Sequence, residues 1–316
     1  MKCDASIYWR LKIGRALFVA SLLLISDACA APPDAALAAF KRDVQAIVSS
    51  DGEGRADRIR RSYTLHFGAE SVDTQASTES VKARLHALAT VSLHAPDDGW
   101  ATQAAALVVM LSERQAAHQK EAGYVHRMLL AERNFDAALQ WAARFPDVAM
   151  PPTPQVERMM EALQPNAYAI SADASKLLEV QLDMDSFTGL LILGHPACGF
   201  SRDAAGWLRS NTSAKGAVAV RWLTPVDGNL QLPLLAHWNA ENPAQALLIA
   251  RHERQWPFVK LWDTPQFFMF SRGRLQLHLN GWNEPNQRAL MKWLDNQSDA
   301  LRRTDPRTGE IKEVIE

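Results

Sequence analysis

Residues 188–202 read TGLLILGHPACGFSR, and this stretch decides the fold. Its first half is a continuous apolar run bounded by glycines, which is typical of a strand buried on both faces of a sheet. A turn follows the run, and a helix begins near Cys198. The stretch therefore predicts a strand, a turn and a helix with the cysteine at the junction.

The residues that follow this unit alternate between strand and helix patterns. Residues 217–223 and 266–270 are apolar runs that predict strands, and residues 243–255 and 285–297 predict helices. Residues 271–279 contain a glycine turn and an alternating pattern, which predict a β-hairpin. Strands that alternate with helices and end in a hairpin predict an α/β sheet.

The preceding residues, from Pro33 to about Pro165, are helical in character. Apolar residues recur there every three to four positions, as on one face of a helix. Residues 133–136 predict a turn between antiparallel helices, and residues 135–142 resemble half of a tetratricopeptide-like pair, but no second copy follows at a period of about 34 residues. Four helices are predicted, beginning at Asp34, Ser77, Trp100 and Tyr124. This region is predicted to be a domain of helical hairpins.

A cluster of prolines follows the helices and predicts a break between two domains. The expected division is a helical domain at 31–150, a linker at 151–175 and an α/β domain at 176–297. Residues 298–316 are predicted to form a mobile charged tail. The clustered prolines are Pro146, Pro151, Pro152 and Pro154.

Residues 1–30 resemble a secretory signal peptide. They contain four basic residues, a ten-residue apolar run at 16–25 and a small-residue cleavage site at 28–30. The run is too short for an ordinary membrane span, so cleavage after Ala30 predicts a periplasmic protein without a stable membrane span. An uncleaved anchor and a lipoprotein acylated at Cys29 are the alternatives.

Composition and charge exclude several classes of protein. Hydrophobic residues make up 47% of the chain and charged residues 22%, which excludes wholesale disorder. The formal charge of −1 becomes −3 without residues 1–30, because that segment carries four basic and two acidic residues. A chain with so little net charge has no broad field to attract nucleic acid, so no nucleic-acid partner is predicted.

The cysteines point to one candidate nucleophile. The chain has three, Cys3, Cys29 and Cys198, and only Cys198 remains after cleavage. A lone thiol is either a buried inert residue or a group that reacts with another molecule. A helix N-terminus favours the thiolate, and His195 either adds positive charge there or packs the loop.

The order of motifs around Cys198 resembles the thioredoxin superfamily, and in particular the catalytic domain of the Dsb-type periplasmic disulfide isomerases. The motifs are a strand, a Cys-x-x-helix junction, a Thr-Pro before an aromatic strand, a glycine hairpin and Gly-Trp-x-x-Pro. The resemblance covers about residues 176–297 and implies a thioredoxin-like fold. It also implies that the Thr264–Pro265 bond is cis and lies beside Cys198, where the backbone can pair with an extended substrate. Gly199 and Phe200 match the residues between the two cysteines of some of these enzymes.

The sequence departs from that family at Ser201, which replaces the second cysteine. Oxidase or reductase turnover by a dithiol mechanism needs a second thiol, which Ser201 cannot supply. A single Cys198 can still shuffle disulfides or act as a monothiol reductase with an external thiol. The alternative is a non-catalytic scaffold or chaperone in an envelope, secretion or conjugation assembly. Cys-Gly-Phe-Ser is also a signature of iron–sulfur glutaredoxins, which the export signal disfavours.

The remaining residues predict a surface for substrate binding, and they predict no cofactor. Trp262 and Phe267 flank the Thr-Pro pair, so one of them is a candidate to line a groove for extended protein. The candidate substrate-binding residues are His195, Gly199, Phe200 and Trp262. The nine histidines are scattered without ligand spacing, so no metal and no cofactor are predicted. The expected partners are exported or envelope proteins as clients and an external thiol donor.

The signal-peptide prediction is testable on protein recovered from an envelope fraction. We expect the mature chain to begin at Ala31, because the basic region, the apolar run and the cleavage site agree. N-terminal sequencing or intact mass decides it. A full-length chain in the membrane fraction would contradict cleavage, and a diacylated Cys29 would support the lipoprotein alternative.

Overall fold

The structure is a computed structural model that describes residues 33–50, 54–68, 74–96, 99–116, 119–158, 164–212, 218–226, 228 and 230–304. Of residues 33, 212 and 298–304 only the backbone is described. The predicted signal segment 1–30 lies outside these ranges. No helix in the described part of the chain combines the length and apolar character that a membrane crossing needs.

An all-helical region comes first, as the sequence predicts. Ser77 and Asn134 cap two of its helices, since their side chains accept hydrogen bonds from the backbone N–H groups of Ser80 and Ala137. Arg133 has a left-handed backbone (φ 59°) in the predicted turn at 133–136, which is confirmed. The helices are α1 (Pro33–Ser49), α2 (Arg55–Phe67), α3 (Thr78–His94), α4 (Trp100–Glu113), α5 (Gln119–Ala131) and α6 (Phe135–Arg144).

Helix α2 was not predicted, because its apolar face is narrow. The helix contains four arginines and buries only Ile59, Ser62 and Tyr63. Its stability comes instead from packing, since the Tyr63 ring contacts Phe40 of α1 edge-on and stacks on Phe67.

A mixed α/β region follows. Its eight strands form one sheet in the order β1-β3-β2-β6-β5-β4-β7-β8. The strands are β1 (Gln155–Glu157), β2 (Ala167–Ile170), β3 (Lys176–Val180), β4 (Gly189–Leu193), β5 (Ala219–Thr224), β6 (Leu247–Ala250), β7 (Gln266–Ser271) and β8 (Arg274–Asn280). The helices are α7 (Gly199–Thr212), α8 (Leu232–Glu241) and α9 (Glu284–Thr304).

Strand β4 lies inside this sheet, and all five of its residues are buried. It runs parallel to β5 and antiparallel to β7, so both edges are also paired. The predicted hairpin is confirmed, since β7 pairs with β8 across a turn at Gly273. That glycine has a φ of 71°, and a side chain there would overlap the Asp185 carbonyl.

Three sequence predictions differ from the structure. Residues 151–175, expected to be a linker, contain β1 and β2, so the sheet begins before residue 176. The helix predicted at 243–255 is wrong, because two short 3₁₀ turns flank β6, which pairs with β5 and β2. Helix α9 continues to Thr304, so residues 298–304 are helical, and the rest of the predicted tail lies outside the described residues.

The helical region and the sheet share one hydrophobic cluster. Phe135 of α6 packs edge-on against Tyr168 of β2, with ring centroids 5.5 Å apart. Arg133, only 5% exposed, lies at the same boundary. Its guanidinium donates to the Ala250 and Pro225 carbonyls, both at 3.2 Å, and to the Ala131 carbonyl at 2.9 Å. This side chain therefore ties the α5–α6 turn to the ends of β5 and β6.

Arg133→Met should lower the free energy of unfolding by about 2–4 kcal/mol, because it leaves buried carbonyl groups without donors. Arg133→Lys should give an intermediate loss, since one ammonium cannot reach all three carbonyls. Arg158 has an exposed side chain, so Arg158→Met is the matched control and should cost less than about 0.5 kcal/mol. Denaturant unfolding measures the three variants, and equal losses in Arg133→Met and the control would contradict the role assigned to Arg133.

Candidate functional site

The site forms where the end of β4 meets the start of β7. Antiparallel pairing places Leu193 opposite Gln266. The chain leaving β4 therefore lies beside the chain entering β7. Cys198 follows β4 and Thr264–Pro265 precedes β7, so the pairing brings the two predicted motifs together.

Cys198 occupies the N-cap position of α7. Its carbonyl accepts a hydrogen bond from the Arg202 N–H at 3.2 Å, and its own N–H donates to the His195 carbonyl at 2.9 Å. The sulfur therefore lies at the positive end of the helix dipole, which stabilises a thiolate. Cys198 is partly exposed and is not in a disulfide.

The Thr264–Pro265 peptide bond is cis and lies against the cysteine, which confirms the predicted geometry. Cys198 Sγ is 3.4 Å from the Thr264 carbonyl oxygen, to which the thiol can donate. Two residues that are 66 positions apart in the chain thus form one surface.

The loop before Pro265 is held by Gln266, a buried residue that sequence reasoning missed. Its side-chain amide nitrogen donates to the Leu261 and Asp263 carbonyls at 2.8 and 2.7 Å. The amide oxygen accepts a hydrogen bond from His278 Nε2 at 2.9 Å. An amide at the first position of an otherwise apolar strand is the one sequence signal that indicates such a role.

Ser201 lies three residues after Cys198 in α7, and it is only 1% exposed. Its hydroxyl accepts a hydrogen bond from the His195 N–H at 3.3 Å and has its own hydrogen to donate towards Cys198. In this chain Ser201 is therefore a hydrogen-bond partner of the sulfur and not a second nucleophile.

The surroundings favour the thiolate form of Cys198. Burial by itself raises the pKa of the Cys198 thiol, but hydrogen bonds outweigh burial and hold the pKa below its ordinary value. The largest of these contributions comes from the Ser201 hydroxyl, followed by the Ser201 backbone N–H. The Thr264 side chain and the Phe200 backbone N–H act in the same direction.

The remaining predicted residues of the Cys198 loop lie at the same junction. His195 Nδ1 accepts a hydrogen bond from the Ala197 N–H at 3.1 Å, a contact within its own loop. This contact supports the loop-packing interpretation of His195. Gly199 begins α7, and Phe200 beside it is 61% exposed, so an aromatic ring faces solvent next to the sulfur.

Trp262, as the sequence suggests, lines a groove, whereas Phe267 is fully buried in the core. The groove has a volume of about 910 Å³ and runs between α2 and the loop before Thr264. An ion pair crosses it, since Arg55 Nη2 lies 3.2 Å from Asp263 Oδ2. The unpredicted helix α2 thus forms one wall beside the cis bond.

Within the described residues, no group of three or more His, Cys, Asp or Glu side chains is arranged to hold a metal ion. Comparisons of the chain with protein-family models, with curated proteins and with solved structures find no match.

Ser201→Ala should raise the pKa of Cys198 and slow its alkylation at neutral pH about fivefold or more, because a hydrogen bond to a charged group is lost. In the unsubstituted protein the alkylation rate should rise with pH at a midpoint below about 8.5, the value of a free cysteine. Mass spectrometry of the peptide containing Cys198 follows the rate without interference from Cys3 and Cys29.

Ser210→Ala is the matched control for that experiment. Ser210 lies on the same helix, and its hydroxyl donates to the Gly206 carbonyl away from the sulfur. The control should alkylate at the unsubstituted rate. An unchanged midpoint in Ser201→Ala would contradict the stabilising role of the Ser201 hydroxyl.

Proposed function

We propose that this protein catalyses thiol–disulfide exchange through the single nucleophile Cys198, as an isomerase or a monothiol reductase on a thioredoxin-like fold. The observation that carries the proposal is the contact of 3.4 Å between Cys198 Sγ and the carbonyl of Thr264, which precedes a cis proline. The lowered pKa of Cys198 at a helix N-terminus supports it, because the thiolate is the attacking species.

The order of elements supports the thioredoxin-like assignment. A β4–α7–β5 unit with parallel strands is followed by the β7–β8 hairpin and helix α9. The four strands lie in the order β5-β4-β7-β8. Cys198 follows the C-terminal end of β4 and the cis proline precedes β7, so both lie at the same end of these strands, as the resemblance implies.

The isomerase reaction conserves electrons. The Cys198 thiolate attacks one sulfur of a client disulfide, which forms a mixed disulfide and releases the other client sulfur as a thiolate. A different client thiolate then attacks the client sulfur of the mixed disulfide. A new client disulfide forms, Cys198 leaves as the thiolate, and no net oxidation or reduction takes place.

In the monothiol reaction the substrate is a mixed disulfide between a client cysteine and a small thiol. The Cys198 thiolate attacks the sulfur of the small thiol and releases the client cysteine as a thiolate. The thiolate of an external thiol then attacks that same sulfur, which forms a disulfide of the two thiols, releases the Cys198 thiolate and leaves the client reduced and the external thiol oxidised. A small-molecule or protein thiol is therefore required as the co-reactant, and Ser201 cannot replace it.

The surface beside the sulfur suits an extended client. The carbonyl of Thr264 borders the sulfur, and exposed Phe200 offers an apolar contact. Residues 1–30 resemble an export signal, so the proposed clients are exported or envelope proteins.

A second candidate is a non-catalytic scaffold or chaperone, and the buried Ser201 favours it. Without a second thiol the chain can retain the fold and its groove for protein binding alone. Reactivity of Cys198 separates the two candidates, since a scaffold does not need it.

The exchange activity is tested with a scrambled multi-disulfide substrate and a small thiol. The unsubstituted protein should restore native pairing faster than the thiol alone, and Cys198→Ala should lower the rate to that background. Ser201→Cys should add net oxidase or reductase turnover, because it restores a resolving thiol. Ser210→Ala should behave as the unsubstituted protein.

Two results together would overturn the enzyme proposal in favour of the scaffold. One is an unsubstituted protein that is no faster than the small thiol. The other is a Cys198→Ala protein that still captures the same clients.

A further inference from the structure

A basic pocket lies in the helical region, and neither Cys198 nor Thr264 lines it. It has a volume of about 470 Å³ between α1, α3 and α5. The polar and aromatic residues that define it are Lys41, His86, Ser92, Lys120, Tyr124 and Arg127.

The charge of this basic pocket is of one sign. Lys41, Lys120 and Arg127 line it, no carboxylate does, and the described residues place none of the three in an ion pair. Lys120 and Arg127 both approach the Tyr124 ring, with Lys120 Nζ at 5.7 Å and Arg127 Cζ at 5.0 Å from its centroid. Like charges that line one pocket repel each other, and an anion bound there would offset that repulsion.

Two polar groups in the basic pocket have no protein partner. Ser92 is only 2% exposed, and its buried hydroxyl makes no hydrogen bond. The buried Nε2 atom of His86 also has none, and its ring lies edge-on to Tyr124 with centroids 5.6 Å apart.

The electrostatics of His86 agree with an excess of positive charge. Burial lowers the pKa of His86, and the nearby Lys120, Lys41 and Lys82 lower it further. Glu121 acts in the opposite direction, but it is buried and does not line the basic pocket.

We propose that the basic pocket binds a small oxyanion of the phosphate or phosphate-monoester class. A tetrahedral anion offers enough oxygen atoms to accept hydrogen bonds from the Lys41, Lys120 and Arg127 side chains that line the pocket, and it neutralises their charge. The pocket also has an apolar wall, formed by Ala89, Leu93 and Met128. An organic group attached to the phosphate could pack against this wall. The proposal is independent of the function assigned to Cys198.

Isothermal titration with inorganic phosphate and with phenyl phosphate, at constant ionic strength set with chloride, tests the proposal. One saturable site per chain is expected, and the His86 ring resonances should shift on binding. Tighter binding of phenyl phosphate would identify a monoester ligand, and equal binding would identify free phosphate.

Lys41→Gln, Lys120→Gln and Arg127→Gln should each weaken phosphate binding about tenfold or more, because each removes a cationic contact to a charged ligand. Lys41 is exposed, so Lys41→Gln removes its charge without disturbing buried packing. Arg61→Gln, an exposed charge removal on α2 outside the pocket, is the control and should bind like the unsubstituted protein.

Absence of saturable binding at millimolar phosphate would overturn the proposal. Equal weakening in Arg61→Gln and Lys41→Gln would also overturn it, since the effect would then come from net charge and not from the basic pocket.

Discussion

The antiparallel pairing of β4 with β7 is the constraint on which the rest of the structure depends. It places Leu193 opposite Gln266, so the two loops that carry Cys198 and Pro265 meet. A shift of one residue would turn every buried side chain of β4 and β7 to the opposite face of the sheet. Because β4 is buried on both faces and paired at both edges, its neighbours cannot slide without exposing apolar surface.

Buried polar groups help to hold the loops at this end of the sheet. Gln266 fixes the approach to the cis proline, and Arg133 joins the helical region to the ends of β5 and β6. Ser201 satisfies the loop before α7 and orients a hydroxyl towards the sulfur. The Ser201 hydroxyl therefore stabilises the thiolate of Cys198 but cannot act as a second thiol, which limits the chemistry that the site can perform.

Local pattern was enough to predict the elements nearest the site. The glycine-bounded run of β4, the apolar run of β7 and the glycine turn of the hairpin each reflect the immediate burial of their own residues. Cys198 at a helix start, and Thr264–Pro265 before a strand, were also found from order alone. Helix α2 and strand β6 were not predicted. Helix α2 has few apolar residues, and β6 is a run of only four residues whose strand conformation depends on pairing with neighbouring strands.

The sequence by itself therefore determined that a helical region precedes a sheet and that one cysteine lies at a strand–helix junction. The tertiary structure alone decided that β1 and β2 extend the sheet into the expected linker, and that α2 forms a wall of the groove beside Trp262. It also decided the partners of Arg133 and Gln266. The physical reason is that hydrophobic period is a property of neighbouring residues, whereas strand pairing and the burial of polar side chains depend on residues far away in the chain.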